Sequence, residues 1–153
     1  LGIHLVDLVL WLLDFPKVTN IHSRLYANGM RIKGKGKRVE DYAVAVIELE
    51  NGCLVNLACS WRLQAGTNAV IGLTFYGTEG ALSIRNFPGS FYKFKAERYR
   101  GTASETLYDS SDDWGGGAIL DWAGKLSKNS AFDKSVMEVQ KVTEVLDRIY
   151  QNS

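Results

Sequence analysis

Residues 42–61 read YAVAVIELENGCLVNLACSW, two apolar runs separated by the dipeptide Asn51-Gly52. The run from Tyr42 to Leu49 is almost continuously apolar, and from Cys53 to Trp61 apolar side chains occupy every second position. Alternation with a period of two is typical of β-strands. Asn-Gly favours a tight hairpin because a type I′ turn needs positive φ at both central residues. This stretch therefore predicts an antiparallel hairpin with a type I′ turn at its centre.

Further strands are predicted on both sides of this hairpin. The segments with strand-like patterns lie near residues 18–28, 70–76, 81–85, 91–98 and 104–108. In the first of them Ile21, Leu25 and Ala27 alternate with polar residues. Residues 77–80, Gly-Thr-Glu-Gly, predict a second hairpin turn. The charge-bearing segments near 29–40 and 110–117 are predicted to be loops.

Helices are predicted at both ends of the chain. The opening run LGIHLVDLVLWLLD is apolar on every side, which predicts a buried helix. A short helix is predicted at 119–126, after the glycines at 115–117, and a longer one at about 133–150. Ser130 and Asp133 have capping-box spacing, and Glu144 and Arg148 have the i,i+4 spacing of an ion pair. The apolar stripe of the last helix is predicted to be Val136, Val139, Val142, Leu146 and Ile149.

These elements predict one α+β domain over residues 1–153, an open and predominantly antiparallel sheet with helices on one face. Tyr42–Leu49 is apolar on both sides of the strand, whereas three helices can cover only one face of the sheet. The other face is then an exposed apolar patch, which usually marks a protein interface.

Composition narrows the classes of function. The formal net charge is +1, which indicates no general preference for nucleic acid. Five basic residues fall within 31–38, but no aromatic residues interleave them and Glu40 and Asp41 follow, so a solvated loop is favoured over a nucleic-acid contact.

The opening run is too short to cross a bilayer and lacks signal-peptide features. Cys53 and Cys59 are too far apart along one strand for a disulfide, which favours a reducing, cytoplasmic setting. No spacing of His and Cys indicates a metal site.

His4 and Asp7 are the two ionisable side chains in the first thirteen residues. Their i,i+3 spacing places them on one helical face, with Trp11 four residues further along. Buried polar groups cost free energy without a partner, so two interpretations stay open. His4 is either a hydrogen-bonded core histidine, or it faces a cleft where an imidazole can transfer protons near neutral pH.

The opening motif resembles the start of the carboxy-terminal domain of the Gfo/Idh/MocA oxidoreductases, whose pattern is Asp, one residue, Gly, one residue, His, two residues, Asp. Gly2, His4 and Asp7 match that pattern, and its leading Asp would precede Leu1. The likeness extends to about Leu82, through the motifs Glu50-Asn51-Gly52, Cys59-Ser60-Trp61 and Tyr76-Gly77-Thr78-Glu79-Gly80.

The resemblance implies a dihydrodipicolinate-reductase-like C-terminal domain on the substrate side of a nicotinamide-dependent dehydrogenase. The substrate would be a sugar, cyclitol or related polyol. His4 would transfer the hydroxyl proton, and Arg62 and Trp114 would line the cleft. Asp7 would bind substrate, orient His4 or serve the structural role of capping a local turn. Members of the family commonly form dimers or tetramers through the sheet.

The sequence has no G-x-G-x-x-G between a strand and a helix, so NAD or NADP would be bound by a Rossmann domain that is absent from this chain. The isolated chain is then expected to be inactive. The alternative is a non-enzymatic module that oligomerises through its sheet, with a structural His4.

Overall fold

The computed structural model describes residues 2–34, 36, 38–109 and 114–153, and at residues 114 and 115 it describes the backbone alone. The chain divides into two compact units. The first unit comprises residues 1–63 and 133–153, and the second comprises residues 64–132.

The first unit contains a four-stranded antiparallel sheet and two helices. The sheet, called here the first sheet, has the order β2-β1-β3-β4. Its strands are β1 (Val18–Ala27), β2 (Met30–Ile32), β3 (Tyr42–Leu49) and β4 (Leu54–Ser60). Helix α1 (Gly2–Leu12) precedes the sheet, and α3 (Glu138–Gln151) follows a 3-10 turn at Lys134–Met137.

A hydrophobic core fills the space between the first sheet and these two helices. Alternate residues of β1 and β3 face it, as the period of two requires. Its buried members are Val6, Leu10, Ile21, Leu25, Ala45, Ile47, Leu49, Val142, Val145 and Ile149. The opposite face of this sheet carries no helix of the first unit among the described residues, and there His22 and Arg24 are exposed.

The second unit contains another four-stranded antiparallel sheet, the second sheet, in the order β5-β6-β7-β8. Its strands are β5 (Gly72–Gly77), β6 (Gly80–Asn86), β7 (Phe94–Arg100) and β8 (Ala103–Tyr108), and helix α2 (Trp114–Lys128) follows them. The buried side chains among its described residues are Ala69, Ser83 and Glu97. The apolar side chains Ile119, Leu120, Trp122 and Leu126 of α2 are all exposed.

The predicted class, α+β with open antiparallel sheet, is confirmed. The strands, however, pair into two sheets rather than one, because residues 61–71 between β4 and β5 join no ladder. Whether residues 1–153 act as one domain stays a prediction.

The two Asn-Gly dipeptides form different turns. Asn28 and Gly29 both have positive φ, and Ala27 pairs with Met30 in a two-residue hairpin. At the predicted type I′ turn only Gly52 has positive φ, and its N–H bonds to the carbonyl of Leu49 at 3.0 Å. The predicted hairpin is therefore confirmed, but the predicted turn type is wrong, because a three-residue loop with a glycine bulge joins β3 to β4.

Several predicted loops and helices need correction. Strand β2 lies within the predicted loop 29–40, since the turn at Asn28-Gly29 brings Met30–Ile32 back against β1. Helix α2 begins at Trp114, because glycine lowers helix propensity without forbidding a helix. Lys35, Lys37 and residues 110–113 lie outside the described residues. Helix α1 is buried on one side only, through Val6, Val9 and Leu10.

The last helix also differs in detail. Asp133, rather than Ser130, provides a cap, and it caps the 3-10 turn that precedes α3: its Oδ1 accepts a hydrogen bond from the N–H of Ser135 at 2.9 Å. The α-helix itself begins at Glu138 without a side-chain cap. Val136 and Val139 are exposed, and Val145 takes a place in the buried stripe. The Glu144–Arg148 pair does not form. Arg148 instead donates to the carbonyl oxygens of Val18 at 2.7 Å and Thr19 at 3.1 Å, since those strand-end carbonyls lie beside the helix.

Candidate functional site

The exposed face of α1 carries the two ionisable residues of the opening motif. His4, Asp7 and Trp11 are all exposed, on the side opposite Val6, Val9 and Leu10. His4 is therefore not a core histidine in this structure. No hydrogen bond joins His4 to Asp7 within the described part of the chain. This face of α1 therefore exposes an imidazole, a carboxylate and an indole to solvent.

Gly2 explains why this helix lies so close to the sheet. A Cβ atom at this position would stand 3.1 Å from the Sγ of Cys59 on β4 and 3.7 Å from Leu57. A larger residue would require the side chain of Cys59 or the first turn of α1 to shift by a few tenths of an ångström. The glycine of the motif thus allows the helix to approach β4 closely at the turn that carries His4. Burial raises the pKa of the Cys59 thiol, which makes this cysteine a poor nucleophile.

Arg62 follows the end of β4 and is held by three groups. Its Nη1 donates to Asn28 Oδ1 at 2.7 Å and lies 3.7 Å from Asp41 Oδ2. Its guanidinium carbon stands 4.9 Å from the ring centroid of Trp61, a cation–π contact. Asp41 also accepts a hydrogen bond at 2.7 Å from the backbone N–H of Asn28. The guanidinium is therefore positioned before any ligand arrives, although more than half of its side chain is exposed.

A cavity of about 310 Å³ lies between the start of α1, one end of the first sheet and the end of α3. We call it the Trp61 cavity. The phenol of Tyr150 donates a short hydrogen bond to Glu40 Oε1 at its wall. Burial, followed by this contact with Glu40, raises the pKa of Tyr150 to about 12. Tyr150 therefore stays protonated and donates throughout the physiological range.

The structure groups three of the four predicted site residues in the first unit. His4 and Asp7 share a helix face, and Arg62 lies next to Trp61, which lines the same cavity as Gly2 and Ile3. The side chain of Trp114 lies outside the described residues. Sequence reasoning did not find Glu40 and Tyr150. They are 110 residues apart, and neither belongs to a motif, so no local signal identifies the pair.

Among the described residues, no group of three or more His, Cys, Asp or Glu side chains is placed to hold a metal ion. No helix among those residues has both the length and the apolar character needed to cross a membrane.

The family model for the GFO/IDH/MocA C-terminal domain matches residues 1–83. This chain therefore belongs to the Gfo/Idh/MocA family, and the match confirms the resemblance carried by Gly2, His4 and Asp7. No curated protein matches the sequence significantly.

Solved structures show the same fold. UDP-N-acetylglucosamine 3-dehydrogenase GnnA from Acidithiobacillus ferrooxidans superposes with a TM-score of 0.71 at 18% identity, covering 98% of this chain and 45% of that one. Aldose-aldose oxidoreductase from Caulobacter crescentus gives 0.71 at 13% identity, with 99% and 43% covered. KijD10, a 3-ketoreductase from Actinomadura kijaniata in complex with TDP-benzene and NADP, gives 0.71 at 12% identity in its open conformation, with 97% and 44% covered. This chain thus spans less than half the length of each of these relatives.

Proposed function

We propose that this chain is the substrate-side domain of an NAD(P)-dependent oxidoreductase acting on a sugar, cyclitol or related polyol. The observation that carries the proposal is the exposed face of α1, where the family motif presents His4 and Asp7. Membership of a family of oxidoreductases supports it. So do the activities of the structural relatives, a sugar-nucleotide dehydrogenase, an aldose oxidoreductase and a 3-ketoreductase.

In this proposal His4 acts as the acid–base group. An exposed imidazole can accept the proton of a secondary hydroxyl as the carbon is oxidised, and can return it in the reverse direction. Asp7, one turn away on the same face, binds another hydroxyl of the substrate or orients the imidazole. Arg62 donates hydrogen bonds to a substrate hydroxyl from its fixed position beside Trp61, and Trp114 is the fourth proposed contact.

The nicotinamide ring supplies the redox chemistry when a cofactor is bound. The described residues contain no glycine-rich turn between a strand and a helix that could hold its phosphates, so we place no cofactor-binding residue in this chain. NAD or NADP is then held by a Rossmann domain elsewhere in the full-length protein, and this chain alone does not turn over substrate. The unpaired thiols of Cys53 and Cys59 support a cytoplasmic location.

The test is the substitution His4→Ala in the full-length protein. We expect kcat and kcat/KM to fall together by about 10²–10⁴-fold, the usual contribution of a positioned acid–base group. Affinity for NAD(H) should change little, and the melting temperature should stay near that of the wild type because His4 is exposed. Initial rates, cofactor titration and thermal melts measure the three quantities.

The matched control is His22→Ala, since His22 is the other histidine and is also exposed, on the outer face of β1. This variant should keep wild-type rates. Normal turnover in His4→Ala would exclude the acid–base role.

A second candidate function is an oligomerisation module, with His4 serving no catalysis. It is favoured by the outer face of the first sheet, where Val44 and Val46 are only half-buried and Leu54 is 57% exposed. Assembly through this face is also compatible with the enzymatic function, and we propose a homodimer or homotetramer that forms through it. Val46→Asp should reduce the particle mass measured by light scattering. A wild type that remains monomeric at high concentration would reject this assembly.

A further inference from the structure

The Trp61 cavity is lined mainly by apolar side chains. Leu25 and Ile149 are its most buried wall residues, at 1% and 4% exposure, and Ala43 and Leu57 complete the inner wall. A cavity of about 310 Å³ beside the motif helix is at the lower end of the size range of small-molecule sites.

Trp61 forms a rigid aromatic rim for this cavity. Its side chain is 59% exposed, yet its Nε1 donates to the carbonyl oxygen of Glu40 at 2.9 Å. The guanidinium of Arg62 stacks on the indole. A large apolar side chain that is both exposed and held in place is suited to packing against a ligand ring.

The polar groups around the cavity are already paired with one another. Tyr150 donates to Glu40, and Ser60 Oγ donates to the carbonyl oxygen of Asp41 at 2.8 Å. Among the described residues, no buried side-chain nitrogen or oxygen lacks a hydrogen-bond partner. A hydroxyl-rich ligand would therefore lose water inside this cavity without gaining replacement hydrogen bonds. The carboxylates of Glu40 and Asp41 likewise disfavour a negatively charged group.

We propose that the Trp61 cavity binds an uncharged apolar substituent of the polyol substrate, such as an aryl group, while the sugar ring packs against Trp61. This inference rests on the proposed function for the identity of the substrate as a polyol. The inference concerns substrate specificity: the enzyme prefers sugars that carry such a substituent to unsubstituted sugars, because the cavity binds the substituent.

The experiment compares two probes, phenyl β-D-glucopyranoside and D-glucose, by calorimetric titration of the full-length protein. Burying a phenyl group should make the phenyl glucoside bind more tightly by roughly tenfold or more. Ala43→Leu fills the inner wall and should abolish that preference. The melting temperature of this variant shows whether it is folded.

Substitutions at the rim keep the test decisive if Ala43→Leu does not fold. Trp61→Leu should weaken binding of both probes, and Trp61→Phe should restore much of it because the aromatic surface returns. The matched control is Trp122→Leu, an equally exposed tryptophan in α2 at 63% exposure. It should leave both affinities unchanged.

Equal affinity for the two probes, no detectable binding of either, or wild-type binding in Trp61→Leu would overturn the cavity assignment. The proposed function fails separately. If the phenyl glucoside binds as described but no polyol is oxidised in the presence of NAD or NADP, the binding site stands and the oxidoreductase activity does not.

Discussion

The first sheet buries apolar side chains under two helices, whereas the second sheet buries polar ones. Ten apolar residues form the core of the first unit, with Leu25 at 1% exposure at its centre. In the second unit the buried side chains of the strands are Ser83 and Glu97, among the residues that the structure describes. Both sheets have four antiparallel strands, and in both of them most neighbouring strands are also consecutive in the sequence. Strand topology alone therefore does not explain why one sheet buries apolar side chains and the other buries polar ones.

A cluster of charges takes the place of a core on one face of the second sheet. Glu97 on β7 accepts hydrogen bonds from Arg85 at 2.7 Å and from the hydroxyl of Tyr99 at 2.9 Å, and Lys95 lies 2.8 Å away. These partners, Lys95 first, lower the pKa of Glu97 to about 2. Hydrophobic burial, which varies little with pH, dominates in the first unit, while an ionised carboxylate contributes to the stability of the second.

The largest effect is expected from breaking the core of the first unit. Leu25→Ala removes the most buried large side chain and should lower the free energy of unfolding by about 2–5 kcal/mol, from lost apolar burial and the cavity left behind. Urea denaturation monitored by circular dichroism measures it. A loss below about 1 kcal/mol would mean that this core relaxes freely around the deletion.

A smaller effect is expected at Ser23, the polar residue inside the same core. Its Oγ donates to the carbonyl oxygen of Ile149 at 2.6 Å and so ties β1 to α3. Ser23→Ala leaves that carbonyl without this donor and should cost about 1–2 kcal/mol. The control is Ser104→Ala, at an exposed position of β8, which should have no measurable effect in the same denaturation assay.

The charge cluster should make the second sheet sensitive to acid. Because the pKa of Glu97 is about 2 in the folded protein and 4.5 ordinarily, its ionised form favours folding above about pH 4.5. That contribution is lost as the pH falls from 4.5 towards 2. Hydrogen exchange should therefore show β6 and β7 losing protection in this window before β1 and β3.

Glu97→Gln should remove this acid dependence, since glutamine does not titrate. The variant should lose protection in β6 and β7 already near neutral pH and change little on acidification. Acid sensitivity that persists unchanged in Glu97→Gln would show that other carboxylates cause it.

The smallest effect is expected at Leu82 on the second sheet. This leucine is 49% exposed, so Leu82→Ala should cost about 1 kcal/mol or less. Measured beside Leu25→Ala, it gives the same side-chain deletion in both units. Equal losses for the two leucines would mean that the second sheet has an apolar core as important as the first.

Much of the fold follows from the sequence because local patterns reflect local geometry. The apolar run from Tyr42 to Leu49 predicted β3 with its observed bounds, and the period of two from Cys53 to Trp61 predicted β4 to within one residue at each end. The i,i+3 spacing of His4 and Asp7 placed them on one face of α1. The sequence shows that the motif contains Gly2, but it does not show that this glycine lies against Cys59.

Other features depend on residues that are distant in the sequence. Glu144, four residues earlier, is a suitable partner for Arg148, yet Arg148 donates to two carbonyl oxygens on β1. These acceptors are available because α3 packs against β1, and an isolated helix would not have them. The two Asn-Gly dipeptides are identical in sequence, and only the strands that they join decide between a two-residue and a three-residue loop.

The class of fold, the family and the candidate residue His4 could all be read from the chain of letters, because periodicity and short motifs are local properties. Three outcomes needed the folded molecule: which strands share a sheet, which unit has an apolar core, and that Glu40, Trp61 and Tyr150 meet at one cavity. Those outcomes depend on packing between distant segments: Glu40 and Tyr150 are 110 residues apart, and Val18 and Arg148 are 130 residues apart. No local pattern encodes that packing.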